Sequence, residues 1–420
     1  MPQLNGDGNV VLTNDIIAKQ ALRLLKNNLV YGRIASKRYQ SEFADVGETV
    51  NVQLAPRTKS TSGRVIGIQP MVKRTVPLTI TNQENVGLSF TMRDRTLSLG
   101  SFTDMFLKSA VTRLANVIDA DIALKTLQAG FYQSGTAGTP INQDSIIDAM
   151  ADAELVGMPR DGLVSVVLDP RDRASIAKAL EGKYNEKMVA DAIRKGYIGP
   201  IDDVDTYSSA NAQSQLVGTH VSGGLVFGAS QSGASVITDD WANSTLILRK
   251  GDVITFADVY SVNPQTYVST GQLMQFVVTA DVTSSGAGVA TIPISPAIND
   301  GTQTTPDLQG NLISIGAYQN VTAMPADNAP IVVAGTSATR YRIAPMFHRD
   351  ALALAIPPLR KPETATVAET MTDPETGISI SLTGGYDVTN HAEIYRLDVI
   401  WGFAAVQPEL IRRVIGAAIP

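Results

Sequence analysis

The chain has 420 residues, of which 44% are hydrophobic and 18% charged, with a net charge of −6. That length suits two or three domains, and the mild acidity gives no global electrostatic reason to bind nucleic acid. Cysteine is absent, which excludes disulfides, a thiol nucleophile and thiolate metal sites and fits a reducing compartment.

The first residues, MPQLNGDGNVVLTND, carry neither a basic n-region nor an apolar h-region, so no signal peptide is expected. No apolar run is long enough to span a bilayer, and a soluble protein made in the cytoplasm is the expectation. Asn14 offers an N-cap to a short amphipathic helix with Ile17, Ala21, Leu24 and Leu25 on its stripe, which suits a docking arm. Strict alternation at Val50, Val52 and Leu54 predicts a half-buried strand. Two further alternating runs follow, Val76–Leu78–Ile80 and Val86–Leu88–Phe90–Met92. Between them and the first strand lies a turn-rich basic stretch holding Arg57, Lys59, Arg64, Lys73 and Arg74, with no acidic residue from 49 to 83. A protruding hairpin with a basic tip is predicted. An isolated two-stranded ribbon is marginal in water, so it needs a partner surface.

Residues 98–131 give the longest helical pattern, free of proline and glycine between Ser101 and Ala129. Leu107, Val111, Leu114, Ile118 and Ile122 form one stripe at a period near 3.6, and at 1.5 Å per residue the helix would run roughly 43 Å. Its stripe is expected to pack on closing strands around Trp401, with Lys108, Thr112, Asn116 and Asp119 facing outward. A second helix over 142–156 presents Ile146, Ile147, Met150 and Ala153. A buried strand over 162–169 then ends at Pro170, which starts another helix. From about 218 to 335 helical periodicity gives way to short β-branched runs between turns, with Arg249 and Lys250 the only basic residues before Arg340. This predicts an independent acidic β-barrel or sandwich. MFHRDALALA before Pro357 is expected to be helical. The last forty residues should supply two or three strands, the one from Glu393 to Phe403 central.

The chemistry-bearing residues form no catalytic pattern. His220, His348 and His391 lack metal-ligand spacing. GTHVSGGLVFG has no Lys-Ser/Thr and opens no helix, so it is no phosphate loop. Asp202, Asp203 and Asp205 could hold a hard cation, but without the glycine and glutamate of a calcium loop a solvated acidic turn is the better reading. The basic tip could touch phosphates. It lacks interleaved aromatics, and an acidic protein surface suits it better. No catalytic residue, cofactor or metal is expected.

The order of these parts, together with RKGDVITFADVYSVNP, MFHRDALALA and YRLDVIWGFAAVQPELIRRVIG, resembles the major capsid proteins of tailed bacteriophages, in particular short-tailed-phage coat proteins with a β-barrel insertion. The resemblance implies an α+β Hong Kong 97-like capsid fold with an inserted all-β domain. Its expected parts are an N-terminal helical arm (1–34), an extended loop and link (35–97, hairpin about 47–85), a spine helix (98–137) and an axial domain in two pieces (138–217 and 336–372). The insertion domain (218–335) and closing strands of a peripheral domain (373–420) complete it. The resemblance also implies pentamers and hexamers of a DNA-enclosing icosahedral shell, assembled in the host cytoplasm with a scaffolding protein and portal, non-specific proximity to packaged DNA, and no membrane partner. Some relatives cross-link through a lysine and an asparagine, a pair that cannot be placed here. The rival readings are a β-rich surface or adhesion protein and a hydrolase with an unrecognised site.

Overall fold

The computed structural model describes residues 14–43, 47–60, 63–64, 71–91, 108–179, 199–220, 223–306, 312–363, 367–373, 378–389 and 392–419. The chain divides into two compact units, one drawn from Met1–Val52, Pro77–Ile122 and Ala353–Ala404, the other from Gln53–Val76, Ala123–Leu352 and Ala405–Pro420.

The first unit is a sheet in the order Thr49–Leu54, Arg74–Thr91, Ala392–Ala405, Ser379–Asp387, Val367–Thr372, with Leu352–Ala355 also pairing Ala392–Ala405. Val50 and Val52 are buried, as their alternation requires. The runs expected at 76–80 and 86–90 belong to one strand of 18 residues, Arg74–Thr91; Met92, the end of the second run, lies outside the described residues. Polar Thr81–Glu84 does not break the strand, because a register shift between Ile80 and Asn82 takes up the extra residue and the ladder against 392–402 continues. Ala392–Ala405 is central, with Leu397, Val399 and Trp401 buried.

The long helix is described over Lys108–Ala129; its expected beginning at 98–107, including the Ser101 cap, lies outside the described residues. Val111, Leu114, Ala115, Ile118 and Ile122 are buried. Trp401 Nε1 donates to Asp121 Oδ2 at 3.0 Å and Asn82 Nδ2 to the same oxygen at 2.8 Å, so the helix does meet the closing strand. Asp119 overturns the outward assignment: it is 0% exposed. Its carboxylate accepts from the Val30 N–H at 2.6 Å and the Gly32 N–H at 3.1 Å, at the start of the short helix Tyr31–Ile34. The first amides of a helix have no intrahelical acceptor, and a carboxylate there satisfies them. The helix is thus covered on a second side by this segment, which periodicity alone does not reveal.

The arm helix Asn14–Asn28 also differs from expectation. It packs on strands Val367–Thr372 and Ser379–Asp387 of its own unit, burying Ala18, Ala21 and Leu25. MFHRDALALA is not helical. It ends strand Arg340–His348, turns through Arg349–Ala351 and forms strand Leu352–Ala355. Short apolar runs buried on both faces carry no decisive period, and here sheet pairing decides.

The second unit has a sheet in the order Tyr132–Ser134, Ile411–Ile419, Arg340–His348, Val164–Leu168, Asp205–Ser208, with Ser214–Leu216 beside Arg340–His348. The last strand, Ile411–Ile419, therefore leaves the closing block and pairs here, while 353–372 falls in the first unit. Helix Gln143–Leu155 is fixed by a reciprocal Asn142–Ser145 capping box and buries Ile146, Ala149, Met150 and Ala153. Ile147, one residue off that face, is 37% exposed. Pro170 opens helix Pro170–Ala179, as expected.

The β-rich stretch forms a sheet in the order Ile331–Val333, Val253–Val262, Ser269–Val278, Ala290–Ile298, Gly233–Asp239, Leu225–Val226. Amide bonds from Val226 to Ala329 O and from Ile331 to Gly224 O close it into a barrel. Phe256 and Phe276 pack in its core at 5.4 Å between centroids. Gly224 is obligatory, since a Cβ there would lie 2.1 Å from the Trp241 ring. The barrel's apolar cluster continues into Phe131, Tyr132 and Val156.

A buried arginine and a buried aspartate knit the barrel to this unit's other sheet. Arg413, 1% exposed, donates to Gly251 O at 2.5 Å. The neighbouring Asp252 accepts from the amides of Gly218 (2.9 Å) and Arg249 (2.8 Å) and from Gln215 Nε2 (2.9 Å). Burial lowers the Arg413 guanidinium to about 10, against the pull of Asp252. Burial also raises Asp252, opposed by its three donors and by Arg413.

Two measurements test these buried charges. Burial lifts Asp119 from 3.8 to about 6, although amides of Val30, Gly32 and Tyr31 favour its charged form. The folded state therefore holds this proton more tightly than the unfolded chain. The stabilisation is complete below about pH 4 and lost as pH rises through about 6, a change on the order of 3 kcal/mol. Melting followed across that range should show the native protein losing stability relative to Asp119→Asn. At the second site, Arg413→Met leaves the Gly251 carbonyl without its buried side-chain donor and should cost about 1–3 kcal/mol in urea unfolding.

Candidate assembly surface

Four of the five expected contact residues lie on the two flanks of the basic stretch, 53–60 and 71–76, with Arg64 between them, and all belong to the same unit as the barrel. Three of the five meet barrel tyrosines. The Arg57 guanidinium lies 5.9 Å and that of Arg74 5.3 Å from the Tyr318 ring centroid, and Lys59 Nζ is 4.8 Å from that of Tyr267. Arg57 also meets a carboxylate, with Nη2 2.7 Å from Glu409 Oε1. Arg64 and Lys73 are exposed.

The backbone joins these contacts. The Arg57 N–H donates to Tyr318 Oη at 3.3 Å, and that hydroxyl donates onward to Val72 O at 3.0 Å. Tyr318 thereby ties one flank to the other. Tyr267 Oη lies 2.9 Å from Ala317 O and 3.3 Å from Thr58 O. Burial raises the Tyr267 phenol above its ordinary value, with Arg57 opposing. Both tyrosines sit in turns: Tyr318 ends the single turn Gly316–Tyr318, and Tyr267, at φ 57°, closes the turn begun at Asn263 through its N–H to Asn263 O.

The energies are small. A cation over an exposed aromatic ring contributes about 0.5–1 kcal/mol, and a partly exposed ion pair about 0–1 kcal/mol. This is a reversible clasp. Sequence reasoning looked for acidic partners and missed the tyrosines, whose available signal was two aromatic residues in turns of an acidic, β-rich stretch.

The other polar clusters fasten elements together. Arg412, 2% exposed, donates to Ser134 Oγ at 2.7 Å and Asp152 O at 2.9 Å, and lies 5.1 Å from the Tyr132 ring. Arg342 pairs with buried Asp172 at 3.0 Å. His348, 3% exposed, accepts the Asp350 N–H through Nδ1 at 3.2 Å, while its Nε2 lies 3.0 Å from Asp161. Asp202 and Asp203 hold left-handed backbone positions in an exposed turn, with Arg160 on Asp202. His391 lies outside the described residues. Among the described residues, no group of three or more His, Cys, Asp or Glu could hold a metal ion.

The clasp has its own test. Tyr318→Leu removes the ring face and the hydroxyl link, so amide exchange at Arg57 should quicken about tenfold or more. Global unfolding should change by less than about 1 kcal/mol, because the barrel core is untouched.

The chain belongs to the P22 coat protein family (gene protein 5), whose family model matches residues 9–415. Its role is accordingly structural: it is a capsid protein of the icosahedral virion shell, with the α+β Hong Kong 97-like fold. A sequence comparison with curated proteins finds no significant match. Solved structures similar to this chain include one from Mycobacterium phage Che8, at 14% identity, covering 99% of this chain and 96% of that one with a TM-score of 0.46. The capsid of cyanophage P-SCSP1u is 8% identical, with 99% and 92% covered and a TM-score of 0.45. The capsid of Ralstonia phage GP4 is 11% identical, with 93% and 89% covered and a TM-score of 0.45. The family assignment rests on the family model.

Proposed function

We propose that the chain forms pentamers and hexamers that close a shell around packaged double-stranded DNA, assembling in the host cytoplasm with a scaffolding protein and meeting a portal at one vertex. It performs no catalysis in this role; its chemistry is interface burial. The observation that carries the reading is the family match over residues 9–415. In this reading the long helix and the Ala392–Ala405 sheet make the peripheral domain. The sheet around Arg340–His348 makes the axial domain, 218–335 is the insertion domain, and the hairpin at about 47–85 is the extended loop.

The loop's cations give register and orientation against neighbouring acidic surface more than raw affinity. Weak contacts repeated at every copy let misplaced subunits leave before closure. Negative-stain electron microscopy of the expressed protein, with and without scaffold, should show shells, tubes or capsomer rings; monodisperse small particles in both conditions would defeat the reading. Reversing Arg57, Lys59 and Arg64 together to glutamate should yield soluble subunits or aberrant particles. Normal shells from that triple variant would remove the electrostatic part.

A further inference from the structure

We infer that the cradle of Tyr267, Tyr318 and Glu409 is a receptor for residues 57–59 and 72–74 of a neighbouring copy of this chain, and that the chain's own loop holds it only until assembly. The inference rests on the assembly reading above and adds the receiving surface and the exchange.

Three features support it. The cradle addresses groups that every copy presents identically: the Arg57 N–H, the Val72 and Thr58 carbonyls, and the cations of Arg57, Lys59 and Arg74. A neighbour's loop therefore satisfies it as well as its own, the condition for exchange of identical elements between protomers. Second, the cradle needs no occupant to stay soluble. Its hydroxyls and the Glu409 carboxylate can turn to water, the ion pair is already partly exposed (29% and 24%), and Met71 beside it is left 68% exposed rather than inserted. Third, residues 57–59 and 72–73 lie outside the strands Thr49–Leu54 and Arg74–Thr91, and Arg74 is only the first residue of the latter, so release needs no more than one strand end to open. In a shell, exchange at every copy would add the avidity that a single cradle lacks.

The test uses the absence of native cysteine. Thr58 and Ala317 place their carbonyls on the same Tyr267 hydroxyl, so Thr58→Cys and Ala317→Cys report occupancy of the cradle. In the soluble full-length double variant, mild oxidation should give an intrachain disulfide, seen as faster-migrating monomer. Shells co-assembled from the two single variants should give disulfide-linked dimers, which only contact between copies can produce. Normal shells whose mixed single variants stay monomeric, while the double variant stays intrachain, would overturn the exchange. A soluble double variant that forms no intrachain disulfide would overturn occupancy by the chain's own loop. If no particles form at all, the assembly reading itself fails, an outcome micrographs distinguish from intact shells without cross-links.

Discussion

Buried hydrogen bonds made by two charged side chains tie the barrel to its neighbouring sheet in the second unit. Arg413 comes from the last strand of one sheet, and Asp252 from the approach to the barrel's second strand. A buried charge is tolerable only where hydrogen bonds satisfy it. Arg413 therefore needs the Gly251 carbonyl, and Asp252 the Gly218 amide, in place. Such a buried polar network adds little net stability over an apolar one of equal size. What it does is make a single docking of barrel on sheet the only satisfied one. The apolar cluster that runs from the barrel into Phe131, Tyr132 and Val156 then supplies the burial.

Against that rigid joint, the loop clasp is of another order. Its rings, cations and single carboxylate sit partly in water, where each contact is individually weak. The chain thus separates two needs. Subunit integrity rests on dry, hydrogen-bonded packing. Attachment of the loop rests on wet contacts that can open and re-form.

Much of the element order could be read from the residues. Period-two alternation located Val50–Val52, the absence of breakers located the long helix, and turn chemistry marked out the β-rich stretch. The failures share one physical origin, since local periodicity states which face is apolar but not what covers it. Asp119 looked solvent-facing because it is charged, yet three amides of a distant segment make its burial tolerable. ALALA carries an apolar signal on every side and leaves helix and strand undecided until a neighbouring strand claims it. The final strand reads like its predecessors but pairs in another sheet, a choice made by long-range register. The basic stretch was legible as a run of cations set off from the acidic remainder. Its tyrosine partners were not, because an aromatic ring in a turn has no periodic signature.

Closure of the barrel has a consequence for a protein made in many copies at once. An open sheet ends in a row of unpaired amides and carbonyls, and at high concentration such rows join end to end into filaments. Here the amides of Val226 and Ile331 spend that capacity within the chain. A crowded population of subunits is thereby denied one route to runaway polymerisation, and growth is left to surfaces whose geometry can curve and close.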